Sequence, residues 1–236
     1  MSHSCAFFPQ GEVPDVDSLG IALRGRPIAP TIVHHVVVES LFFQLESAPS
    51  ARILRLASPD GTNRLTSARV QALIEAIEAL RDELKNNANQ HPLVIAGNRR
   101  FFSVGADLNE IAALTGPAAY AFSALGQSLM RSIATYPAPV TAAIEGHCMG
   151  GGLDLALACH RRIAAPQAIF GHRGAALGLL TGWGGTQRLP RLIGKARALE
   201  LFIAAEKISA PRALEIGLVD AVAADPIAAA LHPRFA

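Results

Sequence analysis

The chain has 236 residues, half of them hydrophobic and 17% charged, with a formal net charge of +2. That length supports one domain with a substantial core, and the low charge density excludes disorder across the whole chain. The charge balance also argues against nucleic acid: no basic stripe interleaves with aromatics, and Arg99-Arg100 and Arg161-Arg162 read as solvated surface.

Residues 1–35 form an irregular arm, punctuated by Pro9, Pro14, Pro27 and Pro30 and without a period. Order begins near His35, with Val36-Val37-Val38 leading into Leu41–Leu45. Ala51–Leu56 alternates as a half-buried strand does. Pro59-Asp60-Gly61 marks a turn. Thr66 or Ser67 caps a helix in which Val70, Leu73, Ile74, Ile77, Leu80 and Leu84 recur at helical spacing. Leu93–Ala96 is a buried strand, and Ser103–Asp107 is a loop entering a helix. A second helix passes through Tyr120, Leu125, Leu129 and Ile133 and stops at Pro137. Val140–Ile144 is the next strand, and Gly150-Gly151-Gly152 opens a helix carrying Leu153, Leu155 and Leu157. Short strands follow at 163–165 and 168–170, then helices at 196–204 and 210–216. No convincing helix is expected in the short tail at 226–236. Strands alternating with helices predict an α/β architecture for the domain at 36–225.

The three cysteines, Cys5, Cys148 and Cys159, form no CxxC pair, and no His/Cys spacing predicts a metal site. With no export signal and no apolar run of about 18 residues, a cytoplasmic protein without a membrane span is expected. The phosphate-loop, nucleophile-elbow and dinucleotide-loop patterns are all missing.

Two glycine-rich loops remain, each after a buried strand and each opening a helix. They are Phe101-Phe-Ser-Val-Gly105-Ala106-Asp107-Leu108 and Glu145-Gly-His-Cys-Met-Gly150-Gly151-Gly152-Leu-Asp154. Either alone is equally a tight turn. Together, and in order with Pro59–Leu65, Tyr136–Ile144, Gly184–Gly194 and Gly217–Asp220, they resemble the enoyl-CoA hydratase/isomerase (crotonase) family over roughly 39–222. The resemblance implies a crotonase-like spiral of ββα units. It also implies an acyl-CoA thioester as substrate, no separate cofactor (coenzyme A enters as part of the substrate) and a homo-oligomer, a trimer or a multiple of it. The Ala106 and Gly151 N–H groups would form an oxyanion hole. The backbone of Ala106-Asp107-Leu108 would read the adenine of coenzyme A, and Arg64 is a candidate for its phosphates. Two preorganised donors suit charge growing on a thioester oxygen, where losing one typically costs about 2.7–4 kcal/mol.

The chain departs from the family at the acid/base positions. Relatives that hydrate carry one Glu three residues after the oxyanion glycine and another twelve residues before the threonine of Gly-Gly-Thr-Gln-Arg. Here those positions hold Asp154 and Gly174. Asp154 is shorter than Glu by about 1.5 Å of reach, and glycine transfers no proton. The acid used by dienoyl isomerases at position 182 is also glycine. His172 and Arg173 precede the vacant position, and His172 is the candidate substitute. His147, His160 and Trp183 stand nearby in sequence, with structural roles as their plainer reading. Ser58 stands where an arginine often contacts coenzyme A, and no segment resembling the family's C-terminal lid helices follows Ala223. The readings left open are an acyl-CoA enzyme with Asp154 as the one matching carboxylate, a decarboxylase or hydrolase of acyl-CoA, a non-catalytic acyl-CoA-binding or assembly subunit, and a subunit active only in a mixed oligomer.

Overall fold

In a computed structural model, residues 38–86 and 91–232 are described, and the arm proposed at 1–35 lies outside them. The elements are β1 (Val38–Glu39), β2 (Phe43–Ala48), β3 (Ala51–Leu56), α1 (Ser67–Asn86), β4 (Leu93–Ala96), β5 (Phe101–Ser103), α2 (Leu108–Ala112) and α3 (Gly116–Ala134). There follow β6 (Val140–Ile144), β7 (His147–Met149), α4 (Gly151–Ala158), β8 (Arg161–Ala164) and β9 (Ile169–Gly171). The described chain closes with α5 (Gly185–Ile193), α6 (Lys195–Ala204), β10 (Ile208–Ser209), α7 (Ala210–Glu215), β11 (Ala221–Val222) and α8 (Pro226–Ala230). The architecture is α/β, as the alternation of strands and helices predicts.

The winding is a ββα unit repeated three times. In each turn the first strand joins a seven-stranded sheet of order β1-β2-β3-β4-β6-β8-β11, in which β4, β6 and β8 run parallel. The second strand joins a four-stranded sheet of order β10-β9-β7-β5. In the first two turns the helical segment that follows returns the chain to the large sheet; after the third, α5 and α6 lead to β10 of the small sheet, and α7 then leads to β11 of the large one. Each turn therefore leaves the second strand and its following loop at the same end of the spiral, so the loops after β5, β7 and β9 converge.

The packing explains the sequence pattern. In β4, Leu93 and Ile95 face the main core with α1 and α3, while Val94 and Ala96 face a second core. A strand covered on both faces reads as an unbroken apolar run. The second core is completed by Ala230, with Ile227 and Leu231 packed on it. The stretch after Pro226, expected to lack a helix, thus carries one: Asp225 caps it by accepting the Ala228 N–H, and Pro226 fits its first turn. A further difference is β7, read from sequence as part of a glycine loop. Its three residues become a strand because β5 and β9 flank it, a tertiary cause invisible to local pattern. Among the described residues no helix is long and apolar enough to cross a membrane.

Candidate active site

The loop after β5 is held in place by the turn at 58–65. Asn63 is fully buried with φ 52°. Its Nδ2 donates to the carbonyls of Phe101 (3.2 Å) and Phe102 (3.1 Å), and its N–H donates to Ser58 Oγ at 2.9 Å. Ser103 Oγ donates to the Asn63 carbonyl at 2.7 Å and accepts the Gly105 N–H at 3.1 Å. Two main-chain bonds, Val104 N–H to Thr62 O and Leu65 N–H to Gly105 O, complete the clamp. Ser58, at the position where relatives often have arginine, thus serves the loop's own folding. Arg64 pairs with Asp60 at 2.8 Å and reaches Asp107 at 4.0 Å. The Asp60 carboxyl is held down at about 2, chiefly by the Thr62 N–H and hydroxyl and by Ser58. Asp107 caps α2 by accepting the N–H groups of Asn109 and Glu110.

The loop after β7 opens α4. Gly150 has φ 51° and ψ −122°, a conformation that side chains rarely tolerate. This turn points the Gly150 N–H at Gly171 O (2.9 Å) and its carbonyl at the Leu153 and Asp154 N–H groups. Gly151 then begins the helix, where N–H groups have no intrahelical acceptor.

The two loops meet closely. A Cβ on Gly105 would lie 2.8 Å from the Gly151 nitrogen and 2.7 Å from Met149 O, while one on Gly151 would lie 3.3 Å from the Ala106 nitrogen. Adding an N-to-Cβ span of about 2.5 Å puts the Ala106 and Gly151 nitrogens within about 6 Å of each other. Neither N–H donates in any hydrogen bond among the described residues. On the other side of Gly151 lies the indole of Trp183, whose Cζ3 would be 2.6 Å from a Cβ there. Trp183 also packs at a tilt against Phe122, with centroids 5.2 Å apart. It is 4% exposed, so it serves the core and walls the site at once.

Both loops border a cavity of about 700 Å³. Its walls are mostly apolar, with Leu108, Ile111, Phe122, Leu179, Trp183 and Phe202 among them. The few polar groups include Asp154, His172 and Thr181; Arg173 and Lys207 also line it. An apolar cleft with a few convergent polar groups is the usual form of a small-molecule site.

Asp154, in the first turn of α4, is 1% exposed. Its Oδ2 accepts a short hydrogen bond from Thr181 Oγ1. Its Oδ1 stands 3.3 Å from His172 Nε2, off the line a hydrogen bond requires, so both atoms are buried without a hydrogen-bond partner. His172 is 4% exposed, and its ring lies 5.1 Å from that of Phe202. The pair is accommodated by Gly185 at the start of α5: a Cβ there would strike the Asp154 carboxylate and lie 3.1 Å from His172 Nε2. Burial lowers the pKa of Arg188, also on α5, and Asp154 counters this.

The structure thus brings Ala106, Gly151, Asp154, His172 and Leu108 to one cavity, while Asp107 and Arg64, 4.0 Å apart, do not line it. Gly174 lines it too, and a side chain there would set its Cβ 2.7 Å from Leu179 O. His147 lines the cavity, with its ring 5.6 Å from that of Phe101. His160 accepts the Val140 N–H at Nδ1 (2.9 Å), a structural task. Cys148 and Cys159 are buried free thiols whose pKa values burial pushes up, that of Cys159 to about 12, which makes neither a nucleophile. Sequence reasoning missed Thr181, Phe202 and Lys207, because nothing local distinguishes a threonine or a lysine that a distant element turns into a cleft.

Comparison with known proteins gives the family. A family model described as enoyl-CoA hydratase/isomerase matches residues 49–231. A probable enoyl-CoA hydratase of Bacillus subtilis is 43% identical over 170 residues, covering 70% of this chain; the chain spans 66% of that relative's length, just under two thirds. Among solved structures, DspI of Pseudomonas aeruginosa superposes with a TM-score of 0.76 at 32% identity, over 82% of this chain and 73% of its own. An enoyl-CoA hydratase of Bacillus anthracis gives a TM-score of 0.71 at 34% identity, over 77% and 69%. An enoyl-CoA hydratase of Thermoplasma volcanium gives 0.75 at 30% identity, over 80% and 75%. The fold is that of the crotonases, and the chain belongs to the enoyl-CoA hydratase/isomerase family.

Proposed function

We propose that the protein acts on an acyl-CoA thioester, holding its carbonyl oxygen between the Ala106 and Gly151 N–H groups, with Asp154 as the acid/base carboxylate. The observation that carries this reading is the approach of two undonated amides, within about 6 Å, on the wall of an apolar cavity. Gly151 also stands at the N-terminus of α4, where the helix dipole favours a developing anion. Ala106-Asp107-Leu108 and Arg64 then meet the nucleotide end of coenzyme A, and no further cofactor is needed. The reaction class is that of a lyase or isomerase of fatty acyl-CoA metabolism.

The reading brings with it a homo-oligomer, a trimer or a multiple of one, in the cytoplasm. Leu199 and Ile203 on α6, with Leu177 and Leu180 beside the cavity, offer exposed apolar surface for such assembly. Light scattering on the full chain tests it.

A second reading, binding of acyl-CoA without turnover, is favoured by Gly174 and by the near-complete enclosure of the Asp154 side chain, 2% exposed. Calorimetric titration with crotonyl-CoA and with free coenzyme A, alongside turnover by wild type and Asp154→Asn, separates the two. Binding of the ester with turnover abolished by the substitution supports the enzyme. Binding without wild-type turnover on enoyl-, malonyl- and β-ketoacyl-CoA supports the subunit. Failure to bind any ester sinks both.

A further inference from the structure

The enclosure of Asp154 raises a question of reach. Its side chain lines the cavity yet is only 2% exposed, and its Oδ1 is buried without a hydrogen-bond partner. Thr181 is only partly buried, lines the same cavity and donates its hydroxyl to the other carboxylate oxygen. Thr181, the more exposed of the two cavity-lining residues, thus offers a hydroxyl bonded to the carboxylate.

We infer that Thr181 is a catalytic residue: its hydroxyl is the proton-transferring end of a Thr181–Asp154 relay that adds water to, or removes it from, an enoyl-CoA. This deepens the acyl-CoA reading above and rests on it. Asp154 is shorter by about 1.5 Å than the glutamate that hydrating relatives carry, and the hydroxyl bonded to it supplies the missing reach. The step balances without redox chemistry. The water oxygen bonds the β-carbon as the π electrons move to the thioester oxygen, where the Ala106 and Gly151 amides meet the charge. The water proton passes to Thr181 Oγ1, whose own proton passes to Asp154 Oδ2. The sequence then reverses: Asp154 returns a proton to Thr181 Oγ1, which delivers one to the α-carbon as the enolate collapses. A hydroxyl accepting one proton while donating another is the ordinary behaviour of hydrogen-bonded chains.

His172 is a positioning residue in this scheme. Its Nε2, 3.3 Å from Asp154 Oδ1, limits where the carboxylate can turn. The groups that face the pair are the Phe202 ring from α6, Arg188 from α5 and the buried Cys148 thiol from β7. Gly185 leaves the space in which the carboxylate and imidazole meet. None of this depends on a side chain at position 174, so the relay accounts for a hydratase-type site with glycine there.

The test is turnover of crotonyl-CoA and a medium-chain enoyl-CoA by the full chain, comparing wild type, Thr181→Val and Thr181→Ser. Valine keeps the shape without the hydroxyl. It is expected to lower kcat by roughly 10²–10⁴-fold, the range for losing a proton-transfer group, with KM changed by less than about threefold. Serine is expected to restore most of the rate. A proton inventory in H2O/D2O mixtures is expected to bow for wild type, because two protons move in one step. His172→Gln is expected to lower kcat with little change in KM and to move the pH–rate profile. A valine variant with kcat within about threefold of wild type overturns the relay, since Asp154 would then reach the substrate unaided. A wild-type chain that binds the esters but turns none over also overturns it, while the ester-binding reading stands. A chain that binds no ester removes both.

Discussion

Gly105 and Gly151 face each other so closely that a Cβ on the first would lie 2.8 Å from the nitrogen of the second. The contact joins two turns of the spiral far apart in sequence, and it brings the Ala106 and Gly151 amides together. Gly105 also has φ 91°. Gly105→Ala is therefore expected to displace the Gly151 amide and to lower kcat by about 10²–10³-fold, as loss of one oxyanion donor does. Steady-state kinetics check this, with circular dichroism to verify that the fold is retained.

Asn63 ties the early turn to the loop after β5 through two side-chain hydrogen bonds to main-chain carbonyls. Asn63→Ala leaves those carbonyls buried and removes a residue suited to φ 52°. Urea unfolding is expected to show a loss of about 2–3 kcal/mol. A loss below about 0.5 kcal/mol would mean that the clamp contributes little.

Arg162, read from the sequence as solvated surface, is instead 5% exposed and anchored to Asp220 Oδ2 at 3.1 Å and to the carbonyls of Leu218 and Cys159. Asp220 also accepts the Arg162 N–H at 2.7 Å. This explains the Gly217–Asp220 segment: it closes β8 against the chain that leads into β11. Asp220→Ala is expected to cost about 1.5–3 kcal/mol in urea unfolding, the range for hydrogen bonds to a charged group, with little effect on KM.

His160 must be neutral at Nδ1 to accept the Val140 N–H. Burial, then Arg161 and Arg162, lower its pKa from the ordinary 6.5. The unfolded chain therefore binds a proton before the folded one does as pH falls. Stability from this site is fully present above 6.5 and is lost as pH drops through the lowered folded value. NMR titration of His160 is expected to give a midpoint below 6.5. A midpoint above it would reverse the sign.

Position 174 invites a graft of the missing glutamate, yet the structure opposes it. A Cβ there would lie 2.7 Å from Leu179 O, a backbone atom. Gly174→Glu is expected to cost about 1–3 kcal/mol by overpacking and to leave enoyl-CoA turnover unimproved. A rise in turnover with unchanged stability would show that the 175–179 turn relaxes freely.

The sequence made the α/β alternation legible because β4 and β6 are buried on both faces and read as apolar runs, while α1 repeats its apolar residues at helical spacing. The two glycine loops were legible because their chemistry is main-chain: positive φ at Gly105 and Gly150 leaves a mark in composition. What stayed hidden depends on distant contacts. β7 is a strand only through β5 and β9. α5 opens on two glycines and contains Pro190, so local signals argue against a helix that packing stabilises. Thr181 lies far from Asp154 in sequence, and no periodicity links them. His172 was a candidate only by its place before the vacant position; its approach to Asp154 is set by β9 and α4 together.

The central claim is that the Ala106 and Gly151 N–H groups receive a thioester oxygen. Backbone amide NMR on the full chain, titrated with a non-reactive acyl-CoA and separately with free coenzyme A, tests it most directly. Both amide protons are expected to move downfield with the ester and to stay in place with free coenzyme A. If the ester binds and shifts Leu108 and Trp183 while both amides remain unmoved, the carbonyl rests elsewhere and the account of the site is wrong.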